Sequence, residues 1–381
     1  MTSPRKTLTK TSFVRHFSTV EDPRKERMCD HLLLDILLIA MMAVICGADG
    51  WDEMHDWGRS KEGMLRTMLT LPEGIPSADT FRRVFARIVP SAFEAAFRGW
   101  IGDLIGASPG RLIAVDGKAV RGVARHSPLG TGLHLVHAWS VTNRLLLGQV
   151  ATDVKSNEIT AIPELLALLD LEGAVVTIDA MGCQRVIAKQ IVAAKGDYVL
   201  TVKDNQPTLL AAVVAEMARV GPMAPSETCS WTINVNEGHG RQEVRRLLAT
   251  SAAGLPVAER WEGVRSCGVM ESMRTVGDKT STEYRYFITS LEHHDGERLT
   301  SILRGHWGVE NHLHWTLDVA FREDACTVHE GHGPENLSLL RKIALTALKA
   351  TTSFKAGIAR RRKRAGWDDA YLLEVLSRGI T

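Results

Sequence analysis

A chain of 381 residues is long for a single domain, and with 45% apolar and 24% charged residues it has the composition of an ordinary globular protein rather than a disordered or fibrous one. A formal net charge of +2 and a pI of about 8.2 exclude a uniformly basic nucleic-acid binder, so any such contact must come from local groups of Arg and Lys. The six cysteines (29, 46, 183, 229, 267 and 326) form no C-x-x-C pair, which argues against a zinc ribbon or a disulfide framework and fits reduced thiols in a cytoplasmic protein.

The start, "MTSPRKTLTKTSF", lacks the apolar core of a secretory signal. The most hydrophobic stretch, "HLLLDILLIAMMAVICGADG", carries Asp35 and stops too soon to span a bilayer, so it reads as a buried helix ended by Gly47, and no membrane partner is expected. Residues 1–105 read as helical throughout. In "IPSADTFRRVFARI", Ser77 or Asp79 caps a helix whose Phe81, Val84, Phe85 and Ile88 form an apolar stripe. Arg82 and Arg83 face elsewhere: either this is a DNA-reading helix of helix-turn-helix type, or a solvated basic face on a small bundle.

From residue 111 the period changes. "LIAV", "LHLVHAWSV" and "RLLLGQVATDV" read as three strands, followed by a helix, the short buried strand "AVVTIDA", a second helix ended by Gly196, and the strand "DYVLTVK". Strands bracketing a helix favour a right-handed crossover and a parallel pair. Residues 206–285 lose that rhythm and read as a mostly β insertion whose last segment leads back to the core. Residues 298–322 and 334–350 read as helices. "KAGIARRRKRAGWDDAY" holds a basic run, Arg360 to Arg364, that is either a solvated tail or a phosphate-binding patch.

Two apolar runs end in a lone carboxylate: "RLIAVDGKAV" in Asp116 and "AVVTIDAMGC" in Asp179. A β-β-β-α-β order with acids on its first and fourth strands is that of the ribonuclease-H-like fold, in which the crossover sets those strands side by side. Adjacent carboxylates repel and raise one pKa. A divalent cation removes the repulsion, and hard oxygen donors suit Mg2+ or Mn2+. Two such ions about 3.5–4 Å apart serve phosphodiester chemistry.

A third acid is sought in "LRGHWGVENHLHWTLDVAFRED". Glu310 borders the stripe of Val309, Leu313, Leu317, Ala320 and Phe321. Asp318, Glu323 and Asp324 compete with it on chemistry alone. A zinc site from His306, Glu310 and His314 is a rival, although its spacing is not H-E-x-x-H. Trp307 and Trp315 read as packing residues.

Taken in order, "IPSADTFRRVFARI", "IAVDGKAVRG", "TIDAMGCQ", "GDYVLTVKDNQP", "GHGRQEVR", "YFITSL", "RGHWGVENHLHWTLDVAFRED" and "ENLSLLRKIAL" resemble the DDE-type insertion-sequence transposases, specifically their H-repeat-associated branch. The resemblance covers nearly the whole chain. It implies an α/β fold: a ribonuclease-H-like catalytic core with a mostly β insertion, preceded by an α-helical N-terminal domain. The expected units are a DNA-binding domain at 1–105, core at 106–205, insertion at 206–285, core with the catalytic glutamate at 286–350, and a basic tail at 351–381.

The resemblance assigns the catalytic, metal-holding acids to Asp116, Asp179 and Glu310, with two Mg2+ or Mn2+ ions as cofactors. Lys118, Arg121, Lys203, Arg304, His306, Arg82 and Arg83 are the expected DNA contacts. The wider superfamily's tyrosine, arginine and lysine slots are Leu303, His306 and Leu317 here, so those roles do not transfer, and Arg304 with His306 inherits the phosphate-facing role. Asp204 sets an acid beside Lys203. The implied partners are double-stranded DNA (terminal inverted repeats and target DNA) and a second copy of the chain in the DNA complex, in a cytoplasmic, nucleoid-associated setting. The implied activity is end cleavage and strand transfer. The alternatives are a metal-dependent nuclease that never joins strands, and a DNA-binding remnant without catalysis.

Overall fold

The computed structural model describes residues 11–25, 29–105, 111–126, 132–152, 158–221, 229–238 and 240–379. Helices α1 (Ser12–Phe17), α2 (Leu33–Ile45), α3 (Trp51–Ser60), α4 (Glu62–Leu65), α5 (Ala78–Phe85) and α6 (Pro90–Ile105) come first. α2 is buried nearly all round, as its unbroken apolar run requires, and ends at Cys46 before Gly47, whose φ of 119° suits a residue without Cβ. Its one acid, Asp35, accepts a hydrogen bond from the Leu71 backbone N–H at 2.9 Å. Ser77 rather than Asp79 caps α5, accepting from the Thr80 N–H at 3.2 Å. Among the described residues, no helix is long and apolar enough to cross a membrane.

The sheet begins with β1 (Leu112–Val120), then α7 (Arg121–His126), β2 (Leu133–Ser140), β3 (Leu145–Ala151), α8 (Glu158–Ala167), β4 (Val175–Ile178), α9 (Arg185–Ala193) and β5 (Asp197–Val202). β1 pairs antiparallel with β2 and parallel with β4, and β4 pairs parallel with β5. α10 (Pro207–Val220) precedes a meander of β6 (Cys229–Gly238), β7 (Arg241–Ser251), β8 (Ser266–Val276) and β9 (Lys279–Thr289). Because β9 pairs with β5, the meander extends one nine-stranded sheet, in the order β3-β2-β1-β4-β5-β9-β8-β7-β6. The expected insertion therefore opens with a helix and continues the core sheet. Pro207 at the first helical position and Leu209, Val213 and Val220 on the inner face explain α10.

α11 (Gly296–His306) covers one face of the sheet, packing Leu299, Ile302 and Leu303 against Val175, Val199 and Phe287. A π-helical turn, Glu310–His314, leads into α12 (Trp315–Phe321). Buried Val309, Leu313, Leu317 and Phe321 recur every four residues, a spacing that drifts about 40° per step around an α-helix. The wider turn takes up that drift and keeps the stripe inward.

α13 (Gly333–Ala350) is buried along most of its length. Asn336 on it donates to the carbonyls of Phe85 and Ile88 at 2.8 and 3.0 Å. The N-terminal helices thus share one apolar core with α13 and the sheet rather than closing a core of their own.

The expected basic tail is corrected: it folds as α14 (Ile358–Trp367) and α15 (Asp369–Gly379). Arg362 points inward, donating to the Val44, Ala48 and Ala320 carbonyls and to Asp49. Arg361 donates to the Leu348 and Thr351 carbonyls. A helix cannot solvate all sides of a basic run, so part of it becomes internal glue and Arg360 and Lys363 remain exposed.

Glu94 on α6 accepts from the Gln149 N–H of β3 at 2.9 Å, and burial pushes its pKa up to about 8 from an ordinary 4.5. The neutral form therefore stabilises the fold fully below about pH 4.5, and that stability is lost as pH rises through about 8. Glu94→Gln keeps the acceptor and removes the titration. Its melting temperature relative to wild type should rise between pH 5 and pH 8.5; a pH-independent difference in thermal melts would contradict this.

Candidate active site

β1 and β4 run parallel and their ladder ends with Val115 opposite Ile178, so the next residues along, Asp116 (still paired to β2) and Asp179 (just past β4), emerge side by side. This is the carboxyl end of the parallel strands, where open α/β sheets bind ligands. Asp179 Oδ1 accepts from the Met181 and Gly182 N–H groups at 3.1 and 3.4 Å, which fixes the turn after β4. Glu310 comes down from the π-helical turn, and ligand atoms of Asp116, Glu310 and His314 all lie within 4.8 Å of one another.

The three competing acids are otherwise engaged. Lys118, two residues beyond Asp116 on the same face of β1, is buried against Asp318, Glu323 and Asp324. Glu323 is fully buried, with Ser338 and Lys342 also at its carboxylate. Lys118 is therefore an internal counter-ion rather than a DNA contact, a correction to the sequence expectation. The same network separates the candidate third acids: Asp318, Glu323 and Asp324 have cations, while Glu310 is 54% exposed with His314 as its neighbour.

A fourth carboxylate, Glu158 at the start of α8, went unseen in the sequence. An acid in a helix's first turn normally just complements the helix dipole, so nothing there marks it. Its side chain lies against Gly117: a Cβ at that position would stand 2.0 Å from Glu158 Oε1. His134 Nε2 sits 3.1 Å from the same oxygen. Burial, then Glu310, Asp179 and Glu158, push the Asp116 pKa up to about 8. Burial and Asp179 raise that of Glu158.

His306 does not join Glu310, which removes the zinc alternative. Its Nδ1 lies 3.1 Å from the Thr177 hydroxyl on the α11 face of the sheet. Burial and the nearby Arg285 push its pKa down to about 4, so it is not a cation for a phosphate at neutral pH. Arg121 (74% exposed, 3.8 Å from Asp324), Lys203 and Arg304 remain at the surface. The loop carrying Lys203 is latched to the Asp179 turn by Asn205, donating to the Ala180 carbonyl at 2.6 Å, and by Gln206, donating to Cys183 at 2.9 Å. Arg304 lines a groove of about 510 Å³ with Arg144, Trp307 and Asn311. Arg82 and Arg83 both pair with Asp79 on their own helix, far along the chain from these acids. Trp307 and Trp315 are 45% and 62% exposed rather than packed away.

A model of the transposase DDE domain matches residues 107–347, and one described as DDE_Tnp_1-associated matches residues 14–101. The chain belongs to the DDE transposases, in their H-repeat-associated branch. It is 36% identical over 370 residues to the H repeat-associated putative transposase YhhI of Escherichia coli (strain K12), covering 96% of this chain and 97% of that protein. It is 37% identical over 371 residues to the putative transposase YncI of Escherichia coli O157:H7, covering 96% and 94%.

DDE transposases use divalent metal ions, and the transposase has a side-chain group that could hold one. The donor set fits: Asp116 and Glu310 come within ligand reach of one another, Lys118 on the same strand is committed to Asp318, Glu323 and Asp324, and the rise in the Asp116 pKa, from burial and the neighbouring carboxylates, is a cost that a bound cation relieves.

Two glycines of the transposase should respond differently to a methyl group. At Gly122 a Cβ would meet backbone, the Cys326 carbonyl O at 2.5 Å and N at 2.7 Å, so Gly122→Ala should cost about 1–3 kcal/mol. At Gly117 the obstacle is the tip of Glu158, which can swing away. Gly117→Ala should melt within a few degrees of wild type, with Glu158 displaced in its crystal structure. Equal melting losses for the two variants would contradict this.

Proposed function

We propose that the protein cuts DNA at the ends of its own insertion sequence and joins the freed 3′-hydroxyls to target DNA, with Asp116, Asp179 and Glu310 as the catalytic, metal-holding acids. The observation that carries the reading is that Asp116 on β1 and Glu310 on the π-helical turn come within ligand reach of one another, with Asp179 just past β4 close enough to raise the Asp116 pKa. The order β3-β2-β1-β4-β5, with β1, β4 and β5 parallel, supports a ribonuclease-H-like core beneath them.

In this reading Asp116 and Glu310 hold one of two Mg2+ or Mn2+ ions, and Asp179 shares the second with Asp116. Bound there, the ions would supply the positive charge that phosphodiester displacement needs. The backbone N–H groups of Met181 and Gly182 keep the Asp179 carboxylate aimed, so little reorganisation is required. Hydrolysis breaks the P–O3′ bond at the element's end, water supplying the oxygen left on the 5′-phosphate, and the released 3′-hydroxyl then attacks a target phosphate, breaking that strand's own P–O3′ bond and releasing its 3′-hydroxyl. Arg121, Lys203 and Arg304 line the approaches as phosphate contacts, and Arg82 with Arg83 offers a second basic face for the terminal repeats. Two ends must be held at once, so the DNA complex contains two copies of the chain, acting on chromosomal DNA in the cytoplasm.

Asp116→Asn, Asp179→Asn and Glu310→Gln should each lose cleavage by a factor on the order of 10³ or more while keeping end-DNA binding. The assay incubates purified protein and Mg2+ with a labelled element end and a target plasmid, and maps the 5′ and 3′ ends produced. An active Asp116→Asn protein would refute the assignment, and cleavage without joined products would leave a nuclease. Arg121→Ala, Lys203→Ala and Arg304→Ala should each lower the salt dependence of DNA binding by about one phosphate contact.

A further inference from the structure

Asp116 and Glu310 share their space with two histidines that the three-acid reading leaves without a task. His314 lies one turn after Glu310 and is buried to 5% exposure. Its Nδ1 stands 3.7 Å from Asp116 Oδ2 and 3.9 Å from Glu310 Oε2. Both separations are too long for a hydrogen bond. They match donor atoms arranged around a shared point, since two ligands each about 2.1 Å from one ion stand roughly 3–4 Å apart.

We propose that His314 is a nitrogen ligand of the metal centre, completing a three-donor set with Asp116 and Glu310, and that it tilts the centre towards Mn2+ over Mg2+. The proposal rests on the reading that these acids hold divalent ions.

The other ring nitrogen supplies the second, independent observation. His314 Nε2 lies 3.0 Å from Nδ1 of His137, which is fully buried. His137 is the cross-strand partner of Asp116 on β2, so the two side chains share a face of the sheet and His137 is placed to orient the His314 ring over that acid. Two neutral rings share one N–H···N bond. When His314 donates from Nε2, its Nδ1 lone pair faces the carboxylates. A ligating histidine held through its other nitrogen is the usual second-layer arrangement of a metal site.

The backbone agrees. Glu310 and His314 are the first and last residues of the π-helical turn, and such turns recur at functional sites. His306, on the sheet side of α11, is bonded to Thr177 instead.

Imidazole changes what the centre prefers. Mg2+ favours oxygen and water and gives up its water shell reluctantly, whereas Mn2+ and later divalent metals accept nitrogen more readily. An all-carboxylate site lacks that bias.

The test loads the full-length protein with Mn2+ and reads electron spin-echo modulation from ligating 14N, alongside Mn2+ and Mg2+ affinities by competition. Wild type should show 14N modulation, and His314→Gln should lose it, bind Mn2+ roughly tenfold more weakly and change less in Mg2+ affinity. A thermal melt confirms that His314→Gln is folded. Mn2+ bound to wild type without 14N modulation, or modulation that persists in folded His314→Gln, would overturn the nitrogen ligand and leave the acid site standing. Mn2+ binding that is absent, or no weaker in Asp116→Asn, would overturn the acid site itself and this proposal with it.

Discussion

Unbalanced negative charge governs the centre of this molecule. Asp116 is held by β1 at the edge of the core, within electrostatic reach of Glu310, Asp179 and Glu158, and its pKa rises to about 8 because burial and those neighbours disfavour its ionised form. Lys118, buried two residues further along the same strand, does not relieve it, because Asp318, Glu323 and Asp324 already surround that ammonium group. Two adjacent regions beside β1 therefore have opposite characters. One is a closed ion-pair network that holds α12 and α13 to the sheet. The other is an open group of acids awaiting a counter-ion. A single lysine, two residues from the first acid, sets the boundary between them.

The scaffold around that boundary is rigid where it needs to be. β1 and β4 are central strands, paired on both sides, so the relative position of Asp116 and Asp179 follows from the backbone ladder rather than from side-chain preference. The helix carrying Glu310 is less regular. Its π-helical turn reconciles a four-residue apolar repeat with a helix that would otherwise rotate the stripe out of the core. Farther out, Asn336 and Arg362 tie the last helices to carbonyls of the first ones, so the N-terminal helices pack directly against α13 and α14. Charged side chains that look like surface features in the sequence act here as internal fasteners.

Much of this was legible beforehand, and the misses share a cause. Apolar runs ending in Asp116 and Asp179 mark two core strands, and the change of period at residue 111 marks the order of strands and helices, because both signals are local; that β1 runs on to Val120 is not visible in the same pattern. The α10 helix was hidden by its neighbours' β pattern, although Pro207 and the spacing of Leu209, Val213 and Val220 announce it. Lys118 and His306 look like phosphate contacts in the sequence, and the run near Arg362 like a solvated tail or a phosphate patch, because a sequence shows a charge without its partner. Trp307 and Trp315 were read as core because a sequence shows a large ring without the surface it covers.

The sequence by itself determined the family, the alternation that builds the central strands, and the shortlist of acids, since each depends on residue type and spacing along the chain. Only the tertiary structure decided which acids stay uncompensated. That choice depends on Lys118 reaching across to Asp318 and Glu323, on Gly117 leaving room for Glu158, and on the register that sets His137 beside Asp116 and beneath His314. Electrostatic pairing falls off over a few ångström of space, and distance along a chain says almost nothing about it until the sheet has closed.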